Sequence, residues 1–140
     1  MTEFVDTNVL LYAYDPGAGE RHELARSLVG RLGRQREGAI SVQVLQEFYV
    51  NAVRKVSTPM TSADARARIS VLARWPTHAP QPHDVVVAAD LADRHQLSFW
   101  DAMIVQSASQ MGSHVFWTED LNAGQTISGV LVANPFVPSD

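Results

Sequence analysis

Short apolar runs alternate with segments of helical period along this chain of 140 residues, and that alternation restricts the fold more than any other feature. Thr2 to Val5 reads as a short buried strand ending at Asp6, and Asn8 to Tyr14 as a brief helix stopped by Asp15-Pro16-Gly17. Leu24, Ala25, Leu28, Val29 and Leu32 recur at helical spacing among charged residues, so Glu20 to Arg36 is expected to be an amphipathic helix. Gly38 opens a short strand, Ala39 to Ser41, which runs into a helix from Val42 to Val56, with Thr58-Pro59 marking a loop. Thr61 and Asp64 form a capping box for a helix reaching Trp75. Thr77 to Ala79 is a third strand, and Pro82 to His95 a helix with proline in its first turn. A helix over 98–111 is closed by Gly112, and strands follow at His114 to Thr118 and Gly129 to Ala133. This order predicts an α/β fold, with a mainly parallel sheet of four to five strands flanked by helices. No repeat or long linker divides the chain, so residues 1–140 are expected to form a single domain.

Composition removes several classes of function. The charged fraction of 19% is too modest for a disordered chain. The absence of cysteine excludes disulfides and thiolate metal sites and fits a reducing cytoplasm. Apolar runs such as Val85 to Ala89 fall far short of the roughly 20 residues of a spanning helix, so no membrane role is expected. The N-terminus lacks the basic region of a signal peptide. The net charge of −4 divides unevenly, into +2 over residues 1–75 and −6 over residues 76–140. A basic half can follow a phosphate backbone while an acidic pocket holds cations.

Sites in open α/β sheets form outside the carboxyl ends of the strands, and four carboxylates fall where that edge is expected. Asp6 closes the first strand, Glu47 lies about two turns into the helix after the second, Asp101 sits in the first turn of its helix, and Asp120 follows the strand at 114–118. Each alone has a structural explanation. Asp6-Thr7-Asn8 suits a capped strand-to-helix turn, and Thr118-Glu119-Asp120 suits a plain turn. Glu47 shares a strip with Gln43, Asn51 and Arg54, opposite Leu45, Phe48 and Ala52, and periodicity does not distinguish a cleft from bulk water. Trp100, Ile104, Val105, Ala108 and Met111 share a helical face with Asp101 in its middle, where an unpaired buried charge costs on the order of 3–5 kcal/mol. Ser98 with Asp101 also reads as a capping box. Taken together, carboxylates gathered this closely raise one another's pKa unless cations compensate. An oxygen-only set, with the five histidines scattered, suits Mg²⁺ or Mn²⁺ rather than Zn²⁺.

Four blocks in order carry a resemblance: VDTNVLLYAY at 5–14, SVQVLQE at 41–47, LSFWDAMIVQSA at 97–108 and VFWTEDLNAG at 115–124 with the closing strand through Pro135. Over nearly its full length the chain resembles PIN-domain ribonucleases, and most of all the VapC-like toxins of bacterial type II toxin–antitoxin pairs. The resemblance implies a PIN-like three-layer sandwich and metal-dependent hydrolysis of RNA phosphodiester bonds. Asp6, Glu47, Asp101 and Asp120 correspond to the family's metal-holding acidic quartet, and Asn8 and Thr118 to the polar residues that support it. Glu119 stands at a variable position and carries no implied role. A small cognate antitoxin and a homodimer are the implied partners. Arg21, Arg26, Arg31, Arg34 and Arg36 are candidates for RNA contact or a solvated helix face, while Tyr12, Tyr14, Leu24 and Leu28 offer a surface to a partner.

Other acid-bearing α/β classes fit less well. A dehalogenase-like phosphatase needs a second Asp where Asn8 stands, and a receiver module needs a strand-end lysine, whereas the one lysine is Lys55. Neither a Gly-x-Gly-x-x-Gly turn nor a Walker loop is present. The surviving alternative is a catalytically silent protein-binding module of the same fold.

Overall fold

The computed structural model describes residues 1–54 and 56–138. Its strands are β1 (Glu3–Val5), β2 (Gly38–Ser41), β3 (Thr77–His78), β4 (Val115–Trp117), β5 (Thr126–Ile127) and β6 (Val130–Ala133). Its α-helices are α1 (Thr7–Ala13), α2 (Glu20–Gln35), α3 (Val42–Ala52), α4 (Ser62–Leu72), α5 (Pro82–His95) and α6 (Phe99–Gln110), with a 3₁₀ turn at Pro16–Ala18. Among the described residues no helix is long and apolar enough to cross a membrane.

The strands form one sheet in the order β3-β2-β1-β4-β6-β5. All neighbours are parallel except β5 and β6. Every residue of β1 and β2 is buried, as central parallel strands are when helices cover both faces. Phe4 of β1 meets Phe116 of β4 edge to face at 5.9 Å between ring centroids, at the middle of the core.

The α/β architecture is as the alternation predicts, but the sheet has six strands rather than four to five. The additional strand, β5, is two residues long and pairs antiparallel with β6. Ser128 and Gly129 join them, both with positive φ (51° and 79°), as a tight two-residue hairpin requires. So short an element leaves no periodicity to read.

Two helices stop short of expectation. The helix predicted to reach Val56 ends at Ala52, whose carbonyl accepts from the Met60 amide as the chain turns back. Lys55, within that expected helix, lies outside the described residues. The helix predicted to reach Trp75 ends at Leu72, which frees Trp75 to lie against Gly38 of β2. A Cβ on Gly38 would stand 2.4 Å from the Trp75 ring, so only glycine lets that indole seal the strand.

The largest correction concerns α6. Trp100 does not share a core face; it is 64% exposed. From Ala102 to Ala108 the helix is buried on all sides, polar Gln106 and Ser107 included. A helix surrounded by protein has no single apolar stripe, so a wheel misassigns its orientation. The polar pair is satisfied by α5 and β3. Asp84, buried in the capping box of α5, accepts from Gln106 Nε2 (3.0 Å), and Ser107 Oγ lies 2.8 Å from His78 Nδ1. His78 and His83 both flank Asp84, so these histidines serve the scaffold.

Candidate metal centre at the carboxyl edge of the sheet

From β1 the chain moves to β2 and β3 on one side, while β4 and β6 lie on the other. The order therefore switches direction between β1 and β4, and crevices at such points are where α/β sheets bind ligands. Asp6 follows β1 there, and Thr118 to Asp120 follow β4. The amide of Asp6 donates to the Trp117 carbonyl (3.0 Å), which locks the two strand ends side by side.

Asp6 is the buried centre of the edge. Its Oδ1 accepts from the Thr7 amide (2.7 Å) as the cap of α1, and its Oδ2 accepts from Thr118 Oγ1 (2.7 Å). Burial pushes its pKa up to about 7, and the charges of Asp120 and Asp101 add to the rise against the lowering effect of the two hydrogen bonds. Thr118, wholly buried, also accepts from the Asp120 amide (3.0 Å), so one hydroxyl fixes the spacing of two acids.

Asp120 stands at the rim. Partial loss of water raises its pKa, and Asp101 and Glu119 raise it further. Asn8 leans toward it and offsets part of that rise. The Asn8 amide nevertheless falls short of hydrogen-bond geometry, so its buried Nδ2 and Oδ1 have no partner. Asp101 is half-buried in the first turn of α6, where Ser98 Oγ accepts from its amide (3.1 Å). The cap and the cluster are thus the same feature.

Glu47 reaches the group from α3. Its Oε1 accepts from Thr7 Oγ1 (2.9 Å), and Thr7 is the residue whose amide caps on Asp6. Its Oε2 accepts from Gln43 Nε2 (3.0 Å). The strip on α3 therefore faces the crevice, the question periodicity left open. The sequence offers no sign of this link beyond a threonine directly after Asp6.

The remaining expectations divide. Glu119, given no role, accepts from both Tyr12 Oη and Arg21 Nε (3.0 Å). That bond to Glu119 pushes the Tyr12 phenol up to about 12. Arg21 lies over the Tyr12 and Phe136 rings, and Arg31 pairs with Glu3 and Glu37, so both bind within the protein. Arg26, Arg34 and Arg36 are exposed. Tyr14 packs edge to face on Phe48. Leu24 and Leu28 line an apolar groove of about 760 Å³ with Trp117 and Leu131.

The donors fit a hard divalent cation by type. They are oxygens, Asp6, Asp101 and Asp120 lie close enough to act on one another's charge, and a buried carboxylate raised to about 7 by loss of water, with like charges adding to the rise, is relieved by a cation. Among the described residues, no three acidic or histidine side chains close into a ready cage. Mg²⁺ does not demand one, since it keeps several waters and binds through one or two carboxylates together with substrate phosphate.

A family profile described as PIN domain matches residues 4–126. No curated protein sequence matches the chain. Among solved structures, a toxin–antitoxin complex from Klebsiella pneumoniae is similar with a TM-score of 0.70 and 19% identity, over 96% of this chain and 98% of that one. VapC20 of Mycobacterium tuberculosis, described as a Sarcin-Ricin loop cleaving toxin, has a TM-score of 0.67 and 22% identity over 85% and 92%. VapBC2 from Rickettsia felis, bound to a fragment of promoter DNA, has a TM-score of 0.65 and 16% identity over 96% and 98%.

Proposed function

The chain belongs to the PIN domain family, and from that premise we propose that it is a divalent-metal-dependent endoribonuclease, the toxin of a toxin–antitoxin pair. The observation that carries this reading is Asp6: a carboxylate that burial, with Asp120 and Asp101 from two distant segments adding to the effect, raises to about 7. The cap bond from Thr7 and the bond from Thr118 offset that rise only in part, and a cation bound there would relieve the rest.

Asp6 and Asp101 are the principal ligands in this reading, and Asp120 and Glu47 hold a second ion directly or through water. Mg²⁺ or Mn²⁺ bound there supplies Lewis acidity toward the scissile phosphate and lowers the pKa of the attacking water. Thr118 holds the Asp6 carboxylate and the Asp120 backbone amide, and Thr7 holds the carboxylates of Asp6 and Glu47, through the bonds described above. The unpaired Asn8 amide offers both a donor and an acceptor to a water beside Asp120. Ser98 caps α6 and so fixes Asp101 in its first turn. Arg26, Arg34 and Arg36 remain open to the RNA backbone.

Similar folds solved in toxin–antitoxin complexes support a small cognate antitoxin as partner. The groove beside Leu24 and Leu28 is the apolar surface offered to it. We place the protein in the cytoplasm as a homodimer of single PIN domains, acting on RNA.

The test incubates purified protein with total RNA and Mg²⁺ or Mn²⁺, beside Asp6→Asn and an EDTA lane. Fragments in the wild-type lane alone are expected, and equal fragments in all lanes would mark a contaminant and remove the assignment. Mn²⁺ binding by wild type and Asp101→Asn separates the alternative: uptake by neither describes a silent binding module.

A further inference from the structure

We propose that Trp100, beside Asp101, is a stacking platform for an unpaired base of the RNA substrate. This rests on the ribonuclease reading and adds a residue that positions the substrate.

An indole is among the largest apolar groups a chain can bury, yet Trp100 is 64% exposed at the residue before Asp101. It is not loosely held. Phe99 backs it edge to face at 5.1 Å between centroids. The Trp100 carbonyl accepts from Gln43 Nε2 (3.1 Å), and the same amide nitrogen donates to Glu47 Oε2 (3.0 Å). The backbone carrying the indole and the Glu47 carboxylate are therefore clamped by one side chain.

Gln43 begins a track. Gln43, Glu47 and Asn51 stand four residues apart on one face of α3, a span of about 12 Å. Asn51 Nδ2 donates to the Glu47 carbonyl (2.8 Å), and Asn51 lines a hollow of about 370 Å³ together with Asn8, Leu11 and Tyr12. Glu47, tied to Asp6 through Thr7, stands midway along α3 between Gln43, which holds the Trp100 backbone, and Asn51. An exposed aromatic ring held at one end of a row of polar side chains suits a strand whose bases are splayed outward. Bases within a duplex are stacked on each other and present no face to an indole. Stacking on an aromatic ring is tolerant of sequence, since every base has a π-face.

The test compares wild type, Trp100→Ala and Trp100→Phe in Mn²⁺ on a single-stranded oligoribonucleotide and on the same sequence in a duplex. Trp100→Ala is expected to raise KM about tenfold with kcat nearly unchanged, and Trp100→Phe to raise it about threefold or less. In an Asp101→Asn background, which stops cleavage, the oligonucleotide should quench indole fluorescence, and the quench should vanish with Trp100→Phe. Thermal melts establish that each variant is folded. Unchanged KM and a retained quench would overturn the proposal, as would equal use of the duplex. A change confined to molecular mass in light scattering would make Trp100 a protein contact and also overturn it. If wild type neither binds nor cuts RNA, the ribonuclease reading itself fails; if it cuts and Trp100→Ala cuts with the same KM, this inference alone fails.

Discussion

A charged Asp6 is costly to the folded protein when nothing neutralises it. Its folded pKa of about 7 lies above its ordinary value, so between pH ~4 and ~7 the unfolded chain holds fewer protons than the folded one. Stability of the metal-free protein must therefore fall as pH rises through that window. Asparagine keeps an oxygen for the Thr7 amide and sheds the charge. Asp6→Asn is expected to stabilise the metal-free protein by on the order of 2 kcal/mol at pH 8 and not at pH 3.5, read from denaturant midpoints, while abolishing cleavage. Asp84 has the opposite sign. Burial opposes its charge, but the Gln81 amide, Gln106, His83 and His78 outweigh it and hold the carboxyl below its usual range. Its contribution is present above the unfolded value and is lost as pH falls through the folded one, so Asp84→Ala should flatten the acid limb of the stability profile and cost about 2–3 kcal/mol at neutral pH. Acids that end strands were legible in the sequence because topology alone brings them to one edge. Glu119 was not, because its partners Tyr12 and Arg21 lie 107 and 98 residues away.

Elements set the tolerances of the site. Ser98 starts α6 and places Asp101 in its first turn, so Ser98→Ala should lower stability by about 1 kcal/mol and lower Mn²⁺ affinity with it, measurable by thermal melt and calorimetry. Gly38 lies under the Trp75 ring, and a methyl group 2.4 Å from ring carbon forces the indole off β2. Gly38→Ala should cost about 1–3 kcal/mol by overpacking, without a change in metal affinity. Helices with one wet face, such as α2, were readable from periodicity. The interior helix was not, since α6 meets protein on every side and its polar residues answer to α5 and β3. The hairpin of β5 and β6 escaped for a different reason: it is specified by backbone angles at Ser128 and Gly129 more than by an apolar pattern.

At the scale of the molecule, the proposed cation and the fold are linked thermodynamically. An ion that binds only the native state raises stability by RT ln(1 + [L]/Kd), about 2.7 kcal/mol at a hundredfold excess over Kd. Mn²⁺ should raise the melting temperature by several degrees, growing with the logarithm of its concentration, and Asp6→Asn should erase the effect. The charge imbalance was visible from the sequence, but which arginines are free was not, because Arg21 and Arg31 are spent on internal carboxylates.

The strand order carries one more consequence, and it concerns time. β1 is made first, but its second neighbour, β4, begins at Val115, more than four-fifths of the way along the chain. A nascent polypeptide on the ribosome holds Asp6 and Glu47 long before Asp101 and Asp120 exist to join them. Until β4 slots in beside β1 the crevice has only one wall. The site proposed at this edge is, by topology, incomplete until the late strand is in place.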